Sequence, residues 1–226
     1  MAAVKAAQVA PVLPGWRPVA ALPARTTMLL NEADGKALLA GAGVAVPRSV
    51  SGPTLAELRE AGLTPPYALK GLGFAHKTEA GAVRLGLVSL DGQEAMAGAT
   101  GYLLEEMVTG AVAEVLVGVR RDPVYGVSLT LGMGGVTAEL LADTVTLIWP
   151  VTEDQVLAEL RKLRLWPLLD GYRGRKRADI AALAAIAVQL GLLMAGDDSL
   201  DEIEINPVMV RESGAVAVDA LVRRAM

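Results

Sequence analysis

The chain has 226 residues, a length that allows either one large domain or two small lobes around a shared cleft. It has no cysteine and a single histidine, which excludes disulfides, thiolate metal sites, cysteine nucleophiles and multi-histidine metal centres. The net charge is -4 and only 4% of the residues are aromatic, so neither an electrostatic footprint for nucleic acid nor a base-stacking platform is expected.

The first 27 residues are rich in alanine and proline and lack sustained periodicity, which predicts a linker or arm. Gln8, Pro11 and Pro14 interrupt the apolar residues of this segment, so no secretory signal is indicated. The longest apolar run, 180–195, contains Gln189 and is interpreted as a core helix and not as a membrane span. A cytoplasmic protein without a membrane or nucleic-acid partner is therefore expected.

The first half of the remaining chain is predicted to be mostly sheet, after two short helices. One helix starts at Asn31, has an apolar stripe at Ala37, Leu38 and Ala40, and ends at glycines 41 and 43. The other covers 54–61, with Thr54 as its N-cap and Glu57 three residues later. Strands are predicted at 67–70, 83–90, 102–108, 112–120 and 127–131.

The second half is predicted to contain two longer helices and a closing set of strands. Val156, Leu157, Leu160 and Leu163 recur at helical spacing after Pro150, and Asp179 opens an alanine-rich helix over 180–195. The closing strands are 202–205, 208–211 and 215–221, with turns at 206–207 and 213–214. Irregular interleaving of helices and hairpins favours an α+β class over a doubly wound sheet.

The common hydrolase and phosphate-loop signatures are absent from the sequence, but a lysine at a strand end begins a first candidate constellation. A loop with Gly71, Gly73, Lys77 and Gly81 follows Lys70. Glycines allow backbone N–H groups to approach phosphate, and lysines supply positive charge. The alternative is an ordinary polar connection between strands. The histidine of the chain, His76, lies in this same loop, where it is either a structural loop residue or a functional one.

A second constellation places Glu105, Glu106 and Met107 at a strand end, with Glu114 seven residues after Met107. A carboxylate and free backbone groups at such an end can receive an adenine edge, and a second carboxylate can bind a ribose diol. Glutamates that are merely solvated at a strand end are the alternative interpretation.

The third constellation combines the face of one strand with a residue of the next hairpin. Alternation places Glu202, Glu204 and Asn206 on one face, opposite two isoleucines. A hairpin through 213–214 would return Asp219 to that face, and such an oxygen cluster suits Mg2+, which keeps waters and substrate phosphates as its other ligands. A solvent-facing set of polar side chains is the alternative.

In this order, the constellations resemble the ATP-grasp lobe of the NDP-forming acyl-CoA synthetases. This group includes the ADP-forming acetate–CoA ligases and is related to the β subunit of succinyl-CoA synthetase. The resemblance covers about residues 31–221. The matching motifs are Ala68-Leu69-Lys70, His76-Lys77-Thr78 with Gly81, Glu105-Glu106-Met107-Val108, Glu114, Val117-Gly118-Val119, Gly132-x-Gly134-Gly135, Gly171-Tyr172-Arg173-Gly174, Ile205-Asn206-Pro207 and Val218-Asp219.

The resemblance implies an ATP-grasp fold of two α+β lobes that clamp a nucleotide, with ATP or ADP and Mg2+ as cofactors. The implied boundaries are an arm at 1–27, an N-terminal lobe at 28–108 and a C-terminal lobe at 109–226. The resemblance also implies a role for each site residue. Lys70 would bind the phosphates, Glu105 and the Met107 backbone the adenine, and Glu114 the ribose. Asn206 and Asp219 would bind Mg2+, Glu204 would lie near the phosphoryl-transfer centre, and His76 would relay the phosphoryl group.

The implied reaction converts a carboxylic acid, ATP and CoA into acyl-CoA, ADP and phosphate through a phosphohistidine. Its CoA-binding and CoA-ligase parts would lie on a separate α-type subunit or in the rest of a fused chain, and the fused arrangement is preferred. The chain departs from the family in a shortened 88–101 segment, in Leu147 where arginine is usual, and in an apolar start to the loop at 71–74. The shortened segment and Leu147 favour the alternative of a degenerate ATP-grasp module without turnover, whereas the intact Lys70, His76, Glu114, Asn206 and Asp219 disfavour it. A carboxylate–amine ligase is a third alternative, disfavoured by the His-Lys-Thr motif.

Overall fold

The computed structural model describes residues 26–74, 80–135 and 142–226. The strands are β1 (Thr27–Leu29), β2 (Ser49–Gly52), β3 (Tyr67–Leu72), β4 (Val83–Leu87), β5 (Gly101–Glu106), β6 (Ala113–Asp122), β7 (Gly126–Met133), β8 (Thr144–Ile148), β9 (Leu200–Val210), β10 (Ala215–Ala217) and β11 (Ala220–Ala225). The helices are α1 (Glu32–Gly41), α2 (Leu55–Leu58), α3 (Glu153–Leu160), α4 (Trp166–Leu169) and α5 (Ile180–Gly196), with a 3-10 turn at Tyr172–Gly174.

Two antiparallel sheets organise these elements. A seven-stranded sheet has the order β1-β11-β9-β6-β7-β8, with β10 also paired to β9, and a four-stranded sheet has the order β2-β5-β3-β4. The hairpins predicted from the sequence form both sheets, so the α+β class is confirmed. The helix predicted at 54–61 is only the short α2, and β1, β2 and β8 were not predicted.

Local sequence determines where the longer helices begin. Thr152 and Gln155 form a reciprocal capping box at the start of α3, and the Asp179 side chain accepts a hydrogen bond from the Ala182 amide at the start of α5. Along α5, Gly191 faces the indole of Trp149 so closely that a Cβ atom there would lie 2.1 Å from the ring. The absence of a side chain at Gly191 therefore allows this helix to pack against the end of β8.

The buried face of α1 differs from the predicted apolar stripe. Ala37 and Ala40 are exposed and Leu38 is only half-buried, whereas Glu32, Gly35, Lys36 and Leu39 are buried. The reason is the contact with β11, because a Cβ atom on Gly35 would lie 3.2 Å from the Val222 side chain. Close approach at this glycine turns the Glu32 and Lys36 face of the helix inward.

Each sheet has its own apolar core. The larger core lies between the seven-stranded sheet and helices α3 and α5, and its fully buried members include Val117, Leu129, Leu183 and Ile203. The smaller core lies on the four-stranded sheet and includes Leu58, Leu69 and Leu104. The two sheets are therefore supported by separate apolar clusters.

The closing strands differ from the predicted arrangement in two respects, the first being that the strand predicted at 215–221 is divided into β10 and β11. The predicted turn at Asn206–Pro207 does not separate two strands, because β9 runs without a break from Leu200 to Val210. On the neighbouring strand, Val115 pairs with Val208 and Val117 pairs with Ile205, so two residues of β9 lie opposite one residue of β6. Asn206 and Pro207 thus occupy a β-bulge within a continuous strand.

The start of the described chain joins the sheet formed by its end. Strand β1 pairs with β11, α1 packs against β11, and the Met226 amide donates a hydrogen bond to the Thr26 carbonyl at 2.9 Å. The first described elements therefore belong to the seven-stranded sheet, and the lobe boundaries given above stay a prediction. Within the described ranges, no helix is both long enough and apolar enough to cross a membrane.

Candidate functional site

Four charged side chains from α1 and the four-stranded sheet meet in a buried cluster beside the turn between β10 and β11. Glu32 and Lys36 lie one turn apart on α1, while Lys70 on β3 and Glu105 on β5 are diagonal neighbours on one face of the four-stranded sheet. None of the four is more than 6% exposed. We call these residues the charge cluster.

The Lys70 ammonium has three acceptors within hydrogen-bond distance. Its Nζ atom lies 2.5 Å from Glu32 Oε1, 2.9 Å from Glu105 Oε2 and 2.6 Å from the carbonyl oxygen of Val218. An ammonium group has three protons to donate, so this arrangement satisfies all of them. The strand-end lysine predicted as a phosphate ligand is thus fully bonded within the protein.

Lys36 repeats the same pattern from the opposite side. Its Nζ atom lies 2.5 Å from Glu105 Oε1, 2.8 Å from Glu32 Oε1 and 2.7 Å from the Val218 carbonyl oxygen. The two lysines balance the charge of the two glutamates, which is the condition under which charged groups are tolerated in a protein interior.

The charge cluster shifts the pKa of its two lysines in opposite directions. Burial and the neighbouring Lys70 charge lower the pKa of Lys36, and this effect outweighs the attraction of Glu32 and Glu105. Burial also opposes the charged form of Lys70, but the attraction of Glu32, Glu105 and Asp219 is stronger and raises its pKa. Lys70 therefore holds its proton firmly and stays cationic at neutral pH.

Glu32 and Lys36 were not predicted as site residues. A glutamate and a lysine four residues apart on a short helix usually form a solvent-exposed pair. Glu32 and Lys36 share one helix face with Gly35 and Leu39, and the structure shows that this whole face is buried. The shared face is the signal that distinguishes this pair from an exposed one.

The acidic face of β9 lies beside the charge cluster. Ile203 and Ile205 are fully buried in the larger core, while Glu204 is half-buried and Asn206 is exposed on the opposite face, as the alternation predicted. Strand β11 returns along β9 with Leu221 opposite Glu204, and the Val218 amide donates a hydrogen bond to the Pro207 carbonyl. Asp219 and Asn206 are therefore brought to the same end of the sheet.

Glu204 lies in a setting that disfavours its charged form. Burial, the charge of Glu202 and the charge of Asp219 together raise the pKa of the Glu204 carboxyl. This effect is typical of a carboxylate that lies among other carboxylates, and such settings are common at functional sites.

The donor set at this end fits a magnesium ion that is shared with a substrate. Among the described residues, no group of three or more acidic or histidine side chains is arranged to hold a metal ion. Asn206 and Asp219 offer one amide and one carboxylate oxygen, and magnesium is commonly held by one or two carboxylates with phosphate oxygens and waters as its other ligands.

A glycine segment packs closely against Glu114. The Gly134 amide donates to the Glu114 carbonyl at 2.7 Å, and a Cβ atom on Gly135, whose φ is +76°, would lie 2.9 Å from Glu114 Oε2. Side chains at these two positions would push against the backbone and carboxylate of Glu114. The predicted ribose ligand is thus supported by the segment that the sequence matched as Gly-x-Gly-Gly.

The strand end at Glu105 leads into a short connection between the two sheets. The Met107 amide donates to the Pro66 carbonyl at 2.8 Å, and the Glu106 carboxylate accepts hydrogen bonds from Arg48 at 2.8 Å and from the Thr64 amide at 3.0 Å. Glu106 and Met107 therefore fix the course of this connection. The side chain of Glu105 points instead into the charge cluster.

The remaining predicted site residue, His76, lies outside the described residues, as do Lys77 and Thr78. Leu147, where the resemblance expects arginine, lies on β8 opposite Leu129 and is 8% exposed. Its side chain belongs to the larger core.

A sequence profile of the ATP-grasp domain matches residues 21–223. Among curated relatives, the β subunit of ADP-forming acetate–CoA ligase I from Pyrococcus furiosus is 34% identical over 158 residues, which are 64% of this chain and 68% of the relative. The β subunit of ligase II from the same organism is 30% identical over 216 residues, which are 87% of this chain and 91% of the relative.

Other relatives are much longer than this chain. A trans-feruloyl-CoA synthase from an unknown prokaryotic organism is 32% identical over 213 residues, which are 85% of this chain and only 30% of that protein. The match to that synthase therefore covers only a part of it.

Solved structures of similar fold agree with the sequence matches. The dinucleotide-forming acetyl-coenzyme A synthetase 1 of Ca. Korarchaeum cryptofilum, in complex with coenzyme A, Ca-AMPCP and HgCl+, has a TM-score of 0.77 and 25% identity, covering 88% of this chain and 93% of that chain. A second structure of that enzyme, with coenzyme A and Mg-AMPPCP, has a TM-score of 0.74 and 25% identity, with 86% and 92% covered. The chain therefore belongs to the ATP-grasp domain family and, within it, groups with the β subunits of ADP-forming acetate–CoA ligases.

Proposed function

We propose that this chain is the ATP-binding, phosphoryl-transferring lobe of an ADP-forming acyl-CoA synthetase. The overall reaction joins a carboxylic acid and CoA as acyl-CoA and converts ATP into ADP and phosphate, with a phosphohistidine as carrier. The CoA-binding and CoA-ligase parts are assigned to a separate α-type subunit or to the rest of a fused chain, and the reaction to the cytoplasm, where ATP is supplied.

One observation carries this proposal: the Lys70 ammonium bonds to the Val218 carbonyl, and Asp219 is the next residue. A cation suited to phosphate and a carboxylate suited to Mg2+ are thereby joined across the two sheets through one hydrogen bond of 2.6 Å. Phosphoryl transfer needs mainly positioning and neutralisation of charge on the phosphate oxygens, which such a pairing supplies.

The proposed roles are assigned by the part of Mg-ATP that each residue would contact. Lys70 binds the phosphates, Asn206 and Asp219 hold Mg2+, and Glu204 lies near the transferred group. Glu114 binds the ribose, and Glu105 with the Met107 backbone meets the adenine. Each Glu105 oxygen is bonded to a lysine, so an adenine contact by this side chain would use a remaining lone pair of one of these oxygens. His76 is proposed to relay the phosphoryl group.

The first test is calorimetric titration of the purified chain with ATP and ADP, with and without Mg2+. We expect saturable, Mg2+-dependent binding, and Lys70→Met should weaken it about 10- to 100-fold because a charged hydrogen bond to phosphate is lost. Lys162→Met is the matched control, because Lys162 pairs with Glu159 on the surface and the variant should bind nucleotide as the wild type does.

Asp219→Asn should remove most of the Mg2+ dependence of nucleotide binding while leaving the fold intact.

Two outcomes would contradict the proposal. Lack of nucleotide binding at millimolar concentration in a folded sample contradicts an ATP-binding role. Wild-type affinity in Lys70→Met or unchanged Mg2+ dependence in Asp219→Asn contradicts the assigned residues.

A degenerate module that binds nucleotide without transferring phosphate is the second candidate. The burial of Leu147 in the larger core, at the position where the resemblance expects arginine, is the observation that favours it. Tight Mg-ATP binding without phosphorylation of an added CoA-ligase subunit would support this candidate.

A further inference from the structure

The two lysines of the charge cluster share their acceptors. Glu32 Oε1 and the Val218 carbonyl oxygen each lie within 2.8 Å of both ammonium groups, and each lysine takes one oxygen of Glu105. Two acceptor atoms are therefore shared by both lysines, and the third group that Lys70 bonds, the Glu105 carboxylate, is bonded by Lys36 through its other oxygen. This duplication is unusual in a protein interior, since one buried lysine is already costly.

The duplication matters when Lys70 turns toward another anion. A buried carboxylate that loses its only cation pays the full cost of an unpaired charge. In this cluster, withdrawal of Lys70 leaves Glu32, Glu105 and the Val218 carbonyl each bonded to Lys36. Lys70 can thus leave while each of these three groups keeps a bond to Lys36, and only the Glu105 Oε2 atom loses its lysine.

We propose that Lys36 is a positioning residue of the nucleotide site, which holds Glu32, Glu105 and the Val218 carbonyl while Lys70 exchanges to the phosphates. This inference rests on the proposed function, because it assumes that Lys70 binds nucleotide. Lys36 itself stays on α1 and acts through the groups that it holds.

The hydrogen bond from Lys36 to the Val218 carbonyl also links Lys36 to the proposed Mg2+ site. The Val218 carbonyl precedes Asp219, the proposed Mg2+ ligand, and Lys36 Nζ lies 2.7 Å from it. Lys36 therefore keeps the turn between β10 and β11 in place after Lys70 has moved. Among the residues that the structure describes, the charged groups that act on Lys70 are Glu32, Lys36, Glu105 and Asp219, so its release depends on their summed charge.

Two substitutions are expected to change nucleotide affinity in opposite directions. Lys36→Met removes one of the two lysines that bond Glu32 and Glu105, and the dissociation constant for Mg2+ with the β,γ-methylene analogue of ATP should rise about 10- to 100-fold. Glu32→Gln removes one of the charges that retain Lys70, and the same dissociation constant should fall several-fold. The Lys36→Met/Glu32→Gln double variant should lie between Lys36→Met and the wild type.

The matched control is the exposed pair Lys176 and Glu212, whose side chains are 71% and 55% exposed. Lys176→Met, Glu212→Gln and their combination should leave affinity unchanged. All variants are measured in the full 226-residue chain, with circular dichroism and thermal unfolding in parallel.

The directions in which Lys36→Met and Glu32→Gln change the dissociation constant decide whether the proposal stands. A merely structural role of the charge cluster predicts weaker binding in both single variants, and that result would overturn the proposal, as would wild-type affinity in Lys36→Met. If Lys36→Met does not fold, Glu32→Gln still decides, because weaker binding in that variant contradicts the inference.

Failure of the proposed function is recognised separately. If the wild-type chain does not bind Mg2+ with the analogue, the function is wrong, and thermal unfolding then tests the charge balance alone. Glu32→Gln should in that case recover part of the melting temperature lost in Lys36→Met. If the two substitutions instead lower the melting temperature additively in the double variant, the two lysines do not share their acceptors in the way that the distances indicate.

Discussion

Glu204 shows how neighbouring charges can act on a single residue. Its pKa is raised, so the folded chain binds a proton there at a higher pH than the unfolded chain does. The stability that Glu204 contributes is thus greatest at low pH and is lost as the pH rises from the ordinary glutamate value through the raised value. The charged carboxylate destabilises the fold at neutral pH, a cost that functional sites commonly carry.

We therefore predict that Glu204→Gln stabilises the chain at pH 7 by roughly 2 °C in melting temperature and gives no advantage at pH 4. Thermal unfolding at the two pH values measures this difference. Glu60→Gln, at an exposed position, is the control and should leave the melting temperature unchanged. A wild-type melting temperature for Glu204→Gln at pH 7 would contradict the assigned electrostatics.

At the scale of elements, Arg121 links the end of α5 to the sheet. Its side chain is 6% exposed and donates to the carbonyls of Met194, Asp197 and Leu200 at 2.5, 2.9 and 2.7 Å. The last carbonyls of a helix have no partner within the helix, and a basic side chain there satisfies them and complements the helix dipole. One residue of β6 thus terminates α5 and fixes the start of β9.

Arg121→Met should lower the free energy of unfolding by about 2–4 kcal/mol, because several buried carbonyls lose a charged donor. The adjacent Arg120 is the matched control, since its side chain is 61% exposed and Arg120→Met should change stability by less than about 0.5 kcal/mol. Chemical denaturation of the two variants measures both values. Equal losses would show that the bonds of Arg121 contribute little.

The elements also show what the sequence predicts and what it does not. The helix starts at Asn31, Thr54 and Asp179 follow from local capping chemistry, and each is confirmed. Strand β2 has little apolar alternation, so it is recognised only through its pairing with β5. The bulge at Asn206 likewise depends on the register with β6, which no local pattern encodes.

In the candidate site, too, local sequence patterns predicted some features, whereas others depend on contacts between distant parts of the chain. Alternation along β9 predicted its acidic face, and the hairpin after it predicted the return of Asp219. The burial of Glu32 and Lys36 depends on the contact of α1 with a strand almost 200 residues later in the chain, and this could not be derived from the helix itself.

Across the whole molecule, the two cores differ greatly in size. The larger core includes residues from α3, α5 and most strands of the seven-stranded sheet, whereas the smaller core is formed by the four-stranded sheet with α2 and nearby loops. Local opening requires less free energy where fewer apolar contacts are lost. The four-stranded sheet should therefore open first.

Hydrogen exchange followed by mass spectrometry measures this difference. We expect amides of β3 and β5 to exchange at least about tenfold faster than those of β6 and β9, because their opening exposes less apolar surface. Peptides from the middle strands of each sheet are the fair comparison, since edge strands exchange readily in both. Equal protection would show that the charge cluster couples the two sheets into one cooperative unit.

The hydrogen bond between Met226 and Thr26 has a consequence for polypeptides that contain such a lobe. A chain that enters at Thr26 leaves at the same corner of the sheet, since β1 and β11 lie side by side. A domain whose first and last strands are paired can be inserted into another protein, or expressed apart from it, without a change in its internal path. This geometry is compatible with both kinds of relative, the β subunit matched over 91% of its length and the synthase matched over 30% of its length.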